Sequence, residues 1–316
     1  MAILRYYVKK EKWSGLNKAV INNQERSSFK QFVMDFKRIV KGFVLLANVF
    51  PVIVGYWLAL HFMGADLVMR WEELVFVTIG SLLVISGALM LNNWYEVDID
   101  KEMVRTQERP TVTGHFSLKM VFWLGMAFSI IGLIFIAFTT LEAAIYAFLG
   151  WFTYVVLYTF WSKRKYTLNT IIGSISGAFT PLIGWATITP ATHIVPIVLF
   201  MILFLWQIPH TFAIAMRRRD EYKAAGIPML PVVYGMEMTK RQSLIYILLL
   251  FPLPFFMGAL GTSFLIIATV LNVAWIILAV KGFFVKDNIK WANQMFYYSL
   301  TYMTILFGGM IIVTLW

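Results

Sequence analysis

The stretch Asn92-Asn93-Trp94-Tyr95-Glu96-Val97-Asp98-Ile99-Asp100 closes a long apolar run and opens into Lys101, Arg105, Arg109 and Pro110. Acidic side chains at the end of a membrane-buried helix cost free energy unless something binds them. Asn92, Glu96 and Asp100 stand at i, i+4 and i+8, which drifts only about 80° around a helix. Three oxygen-bearing side chains therefore share one face. Arg105 and Arg109 repeat the spacing with positive charge. Carboxylates suit a hard divalent cation such as Mg²⁺, and arginines suit phosphate oxygens. The stretch reads either as a metal–diphosphate site at a membrane surface or as a helix end with a solvated charged loop.

Composition places the stretch in its setting. Of 316 residues, 60% are hydrophobic and 14% charged, and the mean hydropathy is +0.74. This is an all-α, polytopic membrane protein. There is no cysteine, so disulfides, thiolate metal sites and cysteine nucleophiles are excluded. The charged residues Lys9, Lys10, Glu11 and Lys12 near the start do not read as a secretory signal. Residues 1–41 read as a basic arm followed, from Ser28, by an amphipathic interfacial helix with Phe29, Phe32, Val33, Phe36, Ile39 and Val40 at helical spacing. Residues 42–316 read as one membrane-embedded domain.

Apolar runs at roughly 42–63, 73–94, 119–138, 142–161, 168–188, 194–216, 242–260, 263–282 and 293–315 predict nine transmembrane helices, each long enough for a hydrocarbon core of about 30 Å. Charge placement supports this division. With the N-terminus inside, every one of the 27 Lys and Arg residues except Arg70 falls on the inner side. The net charge of +11 then reflects topology and attraction to anionic lipid, not nucleic acid. The long polar loops share that side, so the expected location is a bacterial inner membrane with the N-terminus and active site cytoplasmic.

Two such loops carry acids beside arginines: Glu96, Asp98 and Asp100 in one, Asp220 and Glu221 in the other. Their pairing suggests a two-sided site. Lys163-Arg164-Lys165 reads first as a topology anchor and alternatively as a phosphate neutraliser. In the sixth span, Trp206-Gln207-Ile208-Pro209-His210 precedes Arg217-Arg218-Arg219. Pro209 should kink the helix, and Gln207 and His210 should face a cavity. His61, His193 and His115 fit a site less well. Asn48, an amide inside an apolar helix, and Asn169 are expected to line the same cavity. Gly173 and Gly177 read as a small-xxx-small packing surface.

Asn92-x-x-x-Glu96-x-x-x-Asp100 resembles the first N-x-x-x-D-x-x-x-D motif of the UbiA superfamily of intramembrane prenyltransferases. The fuller string through Arg105-Thr106, Arg109-Pro110 and Val112-Thr113-Gly114, with Trp206 to His210 and Ala225 to Val233, resembles its haem O synthase branch. The resemblance covers about Lys41 to Trp316. Two departures stand out: Glu96 replaces the family's aspartate, and the second motif, D-x-x-x-D, is missing, with Asp220 and Glu221 the nearest counterparts.

The resemblance implies nine helices around a central cavity that opens to the lipid bilayer. It implies farnesyl transfer from farnesyl diphosphate to a vinyl group of haem B, with hydration, giving haem O. Glu96 and Asp100 would bind Mg²⁺, oriented by Asn92. Arg105, Arg109, Lys41 and Lys163 would hold the diphosphate, faced by Asp220. His210 and Gln207 would contact haem, which is a substrate and not a cofactor. A haem A synthase is a conceivable partner. A quinone-precursor prenyltransferase should keep the second acidic motif, and a transporter should carry a matching charged gate outside. The sequence has neither.

Overall fold

The computed structural model describes residues 29–315; the arm expected over residues 1–28 lies outside them. Residues 29–39 form α1. The long helices are α2 (Gly42–Met63), α3 (Trp71–Tyr95), α6 (Leu118–Ala137), α7 (Leu141–Phe152), α8 (Asn169–Ala186), α9 (Ile194–Arg217), α12 (Gly235–Leu250), α13 (Thr262–Lys281) and α14 (Asn288–Val313). Short helices α4 (Val97–Glu102), α5 (Pro110–Thr113), α10 (Arg219–Ala224) and α11 (Leu230–Val233) build the loops after α3 and α9.

Among the described residues, eight helical stretches are long and apolar enough to cross a membrane. The one expected span outside these eight, the fifth, is α8, which is also helical, with 18 residues. Its polarity lies in Thr170, Ser174, Ser176 and Thr180. The last three return their hydroxyl protons to backbone carbonyls of their own helix at 2.7–2.8 Å, so none is left unpaired in an apolar setting. The seventh span runs from Gly235 through a 3₁₀ segment, Leu253–Leu260, to Gly261. Gly261 makes the expected tight turn with φ +91°, a backbone conformation natural to glycine.

Helix α8 is central, packing on α2, α7 and α9. The α2–α8 crossing depends on two glycines: a Cβ on Gly184 would overlap the Val52 carbonyl oxygen, and one on Gly55 the Pro181 carbonyl. Without side chains the backbones approach closely and gain dispersion contacts that lipid cannot supply. Helix α9 continues unbroken through Pro209 from Ile194 to Arg217, so the expected kink does not interrupt it.

Along α1 burial is uneven. Ile39 and Val40 are buried with Phe116 and Met90, whereas Phe29, Phe32 and Met34 are exposed. Asp35, in contrast, is buried against His115 Nδ1 at 2.9 Å. With Arg38 on Glu108 at 3.2 Å and Phe32 stacked on Phe116, α1 is fastened to the loop that follows α3.

Candidate active site

Helix α3 ends at Tyr95, and the chain resumes as α4 after one residue, Glu96. The break turns the motif inward: Asn92, Glu96 and Asp100 are 1–2% exposed. Each meets a base from a different part of the chain. Lys41 Nζ donates to Asn92 Oδ1 at 2.6 Å. Lys163 Nζ donates to both oxygens of Glu96 at 2.6 and 2.5 Å. Arg109 Nη1 donates to Asp100 Oδ2 at 2.5 Å. Thr159 Oγ1 accepts from the Asn92 amide at 3.1 Å.

Local structure explains how the bases arrive. Lys41 has φ +48° and ψ +55°, a left-handed backbone that costs a non-glycine residue about 1–2 kcal/mol. That conformation joins α1 to α2 and points Lys41 at the motif; Asn93 secures the joint by donating to the Ile39 carbonyl at 2.6 Å. Lys163 follows a π-helical segment, Thr153–Ser162, that continues α7. Its amide donates to the Tyr158 carbonyl, five residues back, at 2.9 Å. On an α-helix, the nine residues from Tyr154 to Lys163 would make two and a half turns and set them opposite. The wider π register brings them to about two full turns. Tyr154 and Tyr158 thus stand beside the Lys163–Glu96 pair, with Lys163 Nζ 5.5 Å above the Tyr158 ring. Gly173 makes room: a Cβ there would sit 3.0 Å from that ring.

Asp98, the third acid of the stretch, turns away. Arg164 holds it through two parallel hydrogen bonds of 2.7 and 2.8 Å, donates to the Tyr95 carbonyl at 3.0 Å, and lies 4.8 Å over the Tyr95 ring. The carbonyl freed at the helix break is thereby capped, and the π segment is tied to α3. Burial pushes the Glu96 carboxyl up, but neighbouring Lys163 and Lys41 outweigh it and hold the group below its ordinary value. Burial likewise disfavours the Lys163 ammonium, and Glu96 outweighs it, so Lys163 is held above its ordinary value. Lys41 faces a neutral amide. Burial, reinforced by Arg109, takes it well below its ordinary value.

The remaining expected residues fall in several places. Arg105 is exposed. Asn48 donates to the Val44 carbonyl of its own helix at 2.8 Å. Asn169 is buried and donates to the Lys163 carbonyl at 3.3 Å, steadying the turn that carries the lysine. Gln207 is half-buried and lies against Gly177, where a Cβ would strike its amide. The two loops do meet, but through apolar side chains: Ile99 and Met103 of the first pack with Ile227 and Met229 of the second. Asp220 is not brought to Glu96 and Asp100. It is exposed and lines a cavity of about 260 Å³ with Arg217, Arg218, Arg219 and Glu221.

His210 stands in a stack, between Trp206 at 4.8 Å and Phe296 of α14 at 5.1 Å. Its Nδ1 lies 2.7 Å from Ser299 Oγ. The Ser299 hydroxyl proton is committed to the Phe296 carbonyl at 2.6 Å, so Nδ1 donates and Nε2 of the neutral ring carries the lone pair. Both ring faces are covered, which leaves only the Nε2 edge for a ligand.

Sequence reasoning missed Arg164, Thr159, Tyr154, Tyr158, Ser299 and Phe296. Arg164 had a signal, an arginine in a basic triplet near three acids, but nothing in the sequence marks the π register.

Comparison with known proteins identifies the family. Residues 48–301 match the UbiA prenyltransferase family. The chain belongs to that family. It is 51% identical over 300 residues to a protoheme IX farnesyltransferase of Oceanobacillus iheyensis, covering 95% of each chain. Its fold resembles that of a digeranylgeranylglyceryl phosphate synthase (TM-score 0.71, 17% identity, 89% of this chain and 98% of that one). It also resembles a UbiA homologue of Archaeoglobus fulgidus bound to GPP and Mg²⁺ (TM-score 0.58, 15% identity, 88% and 99%).

The residues fit Mg²⁺. Among the described residues no group of three or more His, Asp or Glu could enclose a metal. Mg²⁺, however, is commonly held by one or two carboxylates with waters and substrate phosphates. Glu96 and Asp100 supply two hard donors one helical turn apart, with the Asn92 amide a turn before them.

Proposed function

We propose that this UbiA-family prenyltransferase moves a farnesyl group from farnesyl diphosphate to a vinyl group of haem B, with hydration, giving haem O. The reading is supported by 51% identity over 95% of the chain to a protein named protoheme IX farnesyltransferase. The observation that carries the chemistry is the buried motif, in which Asn92, Glu96 and Asp100 each face a separate base.

Mg²⁺ held by Glu96 and Asp100 would supply the charge that stabilises the departing diphosphate. Lys41, Lys163 and Arg109 would turn from the motif to phosphate oxygens, with Arg105 reaching in from the exposed loop. Such preorganised cations act where negative charge grows during carbon–oxygen cleavage. Tyr154 and Tyr158 set two aromatic rings beside that point. Their faces favour a developing allylic cation, and the surrounding apolar bundle keeps water from it. His210 Nε2, the free edge of a ring fixed by Ser299, suits the haem iron, while Gln207 supplies an amide one turn deeper. Asp220 has no part in holding the metal on this reading.

The basic ends of the helices support a site on the cytoplasmic face of a bacterial cell membrane. Both organic substrates partition into lipid, and a haem A synthase is the partner expected to take the product. The test is direct. Membranes containing the protein are incubated with haem B, farnesyl diphosphate and Mg²⁺, and haems are separated by reversed-phase chromatography. A more hydrophobic haem with the mass of haem O is expected, and chelation should abolish it. Folded protein that prenylates a different acceptor and leaves haem B untouched would overturn the assignment.

A further inference from the structure

The cavity of about 260 Å³ beyond the end of α9 has no role in the reaction derived above. Three arginines line it, Arg217, Arg218 and Arg219, with Asp220, Glu221, Met236 and Ile289. Arg218 gives one nitrogen to Glu221 at 2.6 Å, and Arg219 Nε donates to the Pro231 carbonyl at 3.0 Å. Arg217 differs. Its guanidinium carbon lies over Phe296, 4.4 Å from the ring centre, and the group donates to no acceptor among the described residues. A half-buried guanidinium with an aromatic platform and no acceptor is arranged to receive an anion in the plane of its fork.

The same platform leads to His210. Trp206, His210, Phe296 and Arg217 form one continuous stack, at 4.8, 5.1 and 4.4 Å between successive groups. His210 and Arg217 lie two turns apart on α9, a rise of about 10 Å. That span is comparable to the reach from a porphyrin's iron to the carboxylates of its side chains. A planar ligand held at its centre by Nε2 of His210 would therefore carry its acidic edge to Arg217.

We propose that this cavity is the carboxylate-binding end of the porphyrin site, with Arg217 taking one propionate and the free nitrogens of Arg218 the other. The inference rests on the proposed function and adds an orientation to it. On a protohaem the propionates and the vinyl groups occupy opposite edges. Anchoring the acids at the polar end of α9 directs the vinyl edge away from Arg217, into the bundle.

The experiment compares haem B with its propionate dimethyl ester, using full-length protein in nanodiscs and absorbance titration. Wild-type protein should bind haem B about ten- to a hundredfold more tightly, the worth of one charge-assisted hydrogen bond. In Arg217→Gln and Arg218→Gln that ratio should fall towards one, with KM for farnesyl diphosphate unchanged. Equal affinity of wild-type protein for acid and ester overturns the proposal, whatever the variants do. So does a ratio that survives both substitutions, or a rise confined to KM for farnesyl diphosphate, which would give the arginines to the diphosphate instead. Wild-type protein that neither binds nor converts haem B overturns the proposed function itself.

Discussion

The loops after α3 and after α9 look alike in sequence, each a cluster of acids beside arginines, yet the fold uses them differently. In the first, Glu96 and Asp100 are 2% exposed and find their bases 67 and 9 residues away in sequence. In the second, Asp220 is exposed and Glu221 pairs with Arg218, three residues before it. A local i,i+3 pair of this kind contributes about a few tenths of a kcal/mol. A buried pair assembled from distant helices exists only when the whole bundle is in register, and its members cannot be removed singly without leaving an unpaired charge. With the roles proposed above, depth and not composition separates the reacting loop from the binding one.

The largest effect expected from this contrast is at Asp100. Asp100→Asn removes a hard ligand and unpairs Arg109. Haem O formation should fall by on the order of 10²–10³-fold, measured by initial rates at saturating haem B. Asp220→Asn should stay within a factor of about three, because an exposed substitution away from the reacting groups changes little. Equal losses at the two positions would erase the distinction between the loops.

Next in size is Lys163→Met, which leaves Glu96 buried without its hydrogen-bonded partner. A stability loss of about 3 kcal/mol is expected, read from denaturant midpoints in detergent. Glu96→Gln combined with Lys163→Met should recover much of it, since replacing both partners removes the unpaired charge. The pH dependence follows from the directions of the shifts. Glu96 is held below its ordinary value of 4.5, so its contribution is present above that value and is lost as pH falls through its folded pKa. Lys163 is held above 10.5, so its contribution is present below that value and is lost as pH rises through its folded pKa. Between those limits, stability due to this pair should be flat with pH. A stability step near pH 7 that Lys163→Met abolishes would show that the pair is not fully ionised there.

How much of this was legible in the sequence follows from what each feature depends on. The spans depend on hydropathy and length, which one chain displays openly; only α8, with its hydroxyls turned back on its own backbone, is weaker by that measure. The pairing of Asn92, Glu96 and Asp100 on one face depends on helical period alone, so it could be read directly. Their partners depend on tertiary register. Lys41 needed a left-handed residue, and Lys163 needed a π-helical segment, neither of which has a residue signature in this chain. The expectation that Asp220 would face the first loop assumed that like clusters converge. The loops converge through Ile99, Met103, Ile227 and Met229 instead, because desolvating apolar side chains favours contact while desolvating acids opposes it.

The smallest expected effect lies at the rim of the first loop and tests whether depth grades function continuously. Asp98 and Arg164 form a two-bonded pair, but their side chains are 62% and 33% exposed, so solvent screening limits the pair to about 1 kcal/mol or less. Asp98 is nonetheless held below its ordinary carboxylate value, first by the hydrogen bonds from Arg164. Its contribution is therefore present above the unfolded carboxylate pKa and lost only as the solution becomes more acidic than that. Because Arg164 adjoins Lys163 and caps the Tyr95 carbonyl, loosening it should act on the placement of Lys163, not on the chemistry directly. Asp98→Asn should raise KM for farnesyl diphosphate about two- to fivefold with kcat nearly unchanged, an effect of under about 1 kcal/mol by the same exposed-pair scale. Arg164→Lys, which keeps the charge but not the two-pronged geometry, should do the same. A loss in kcat as large as that of Asp100→Asn would mean that Asp98 turns inward to the metal during the reaction, and the rim would then belong to the reacting face of the loop.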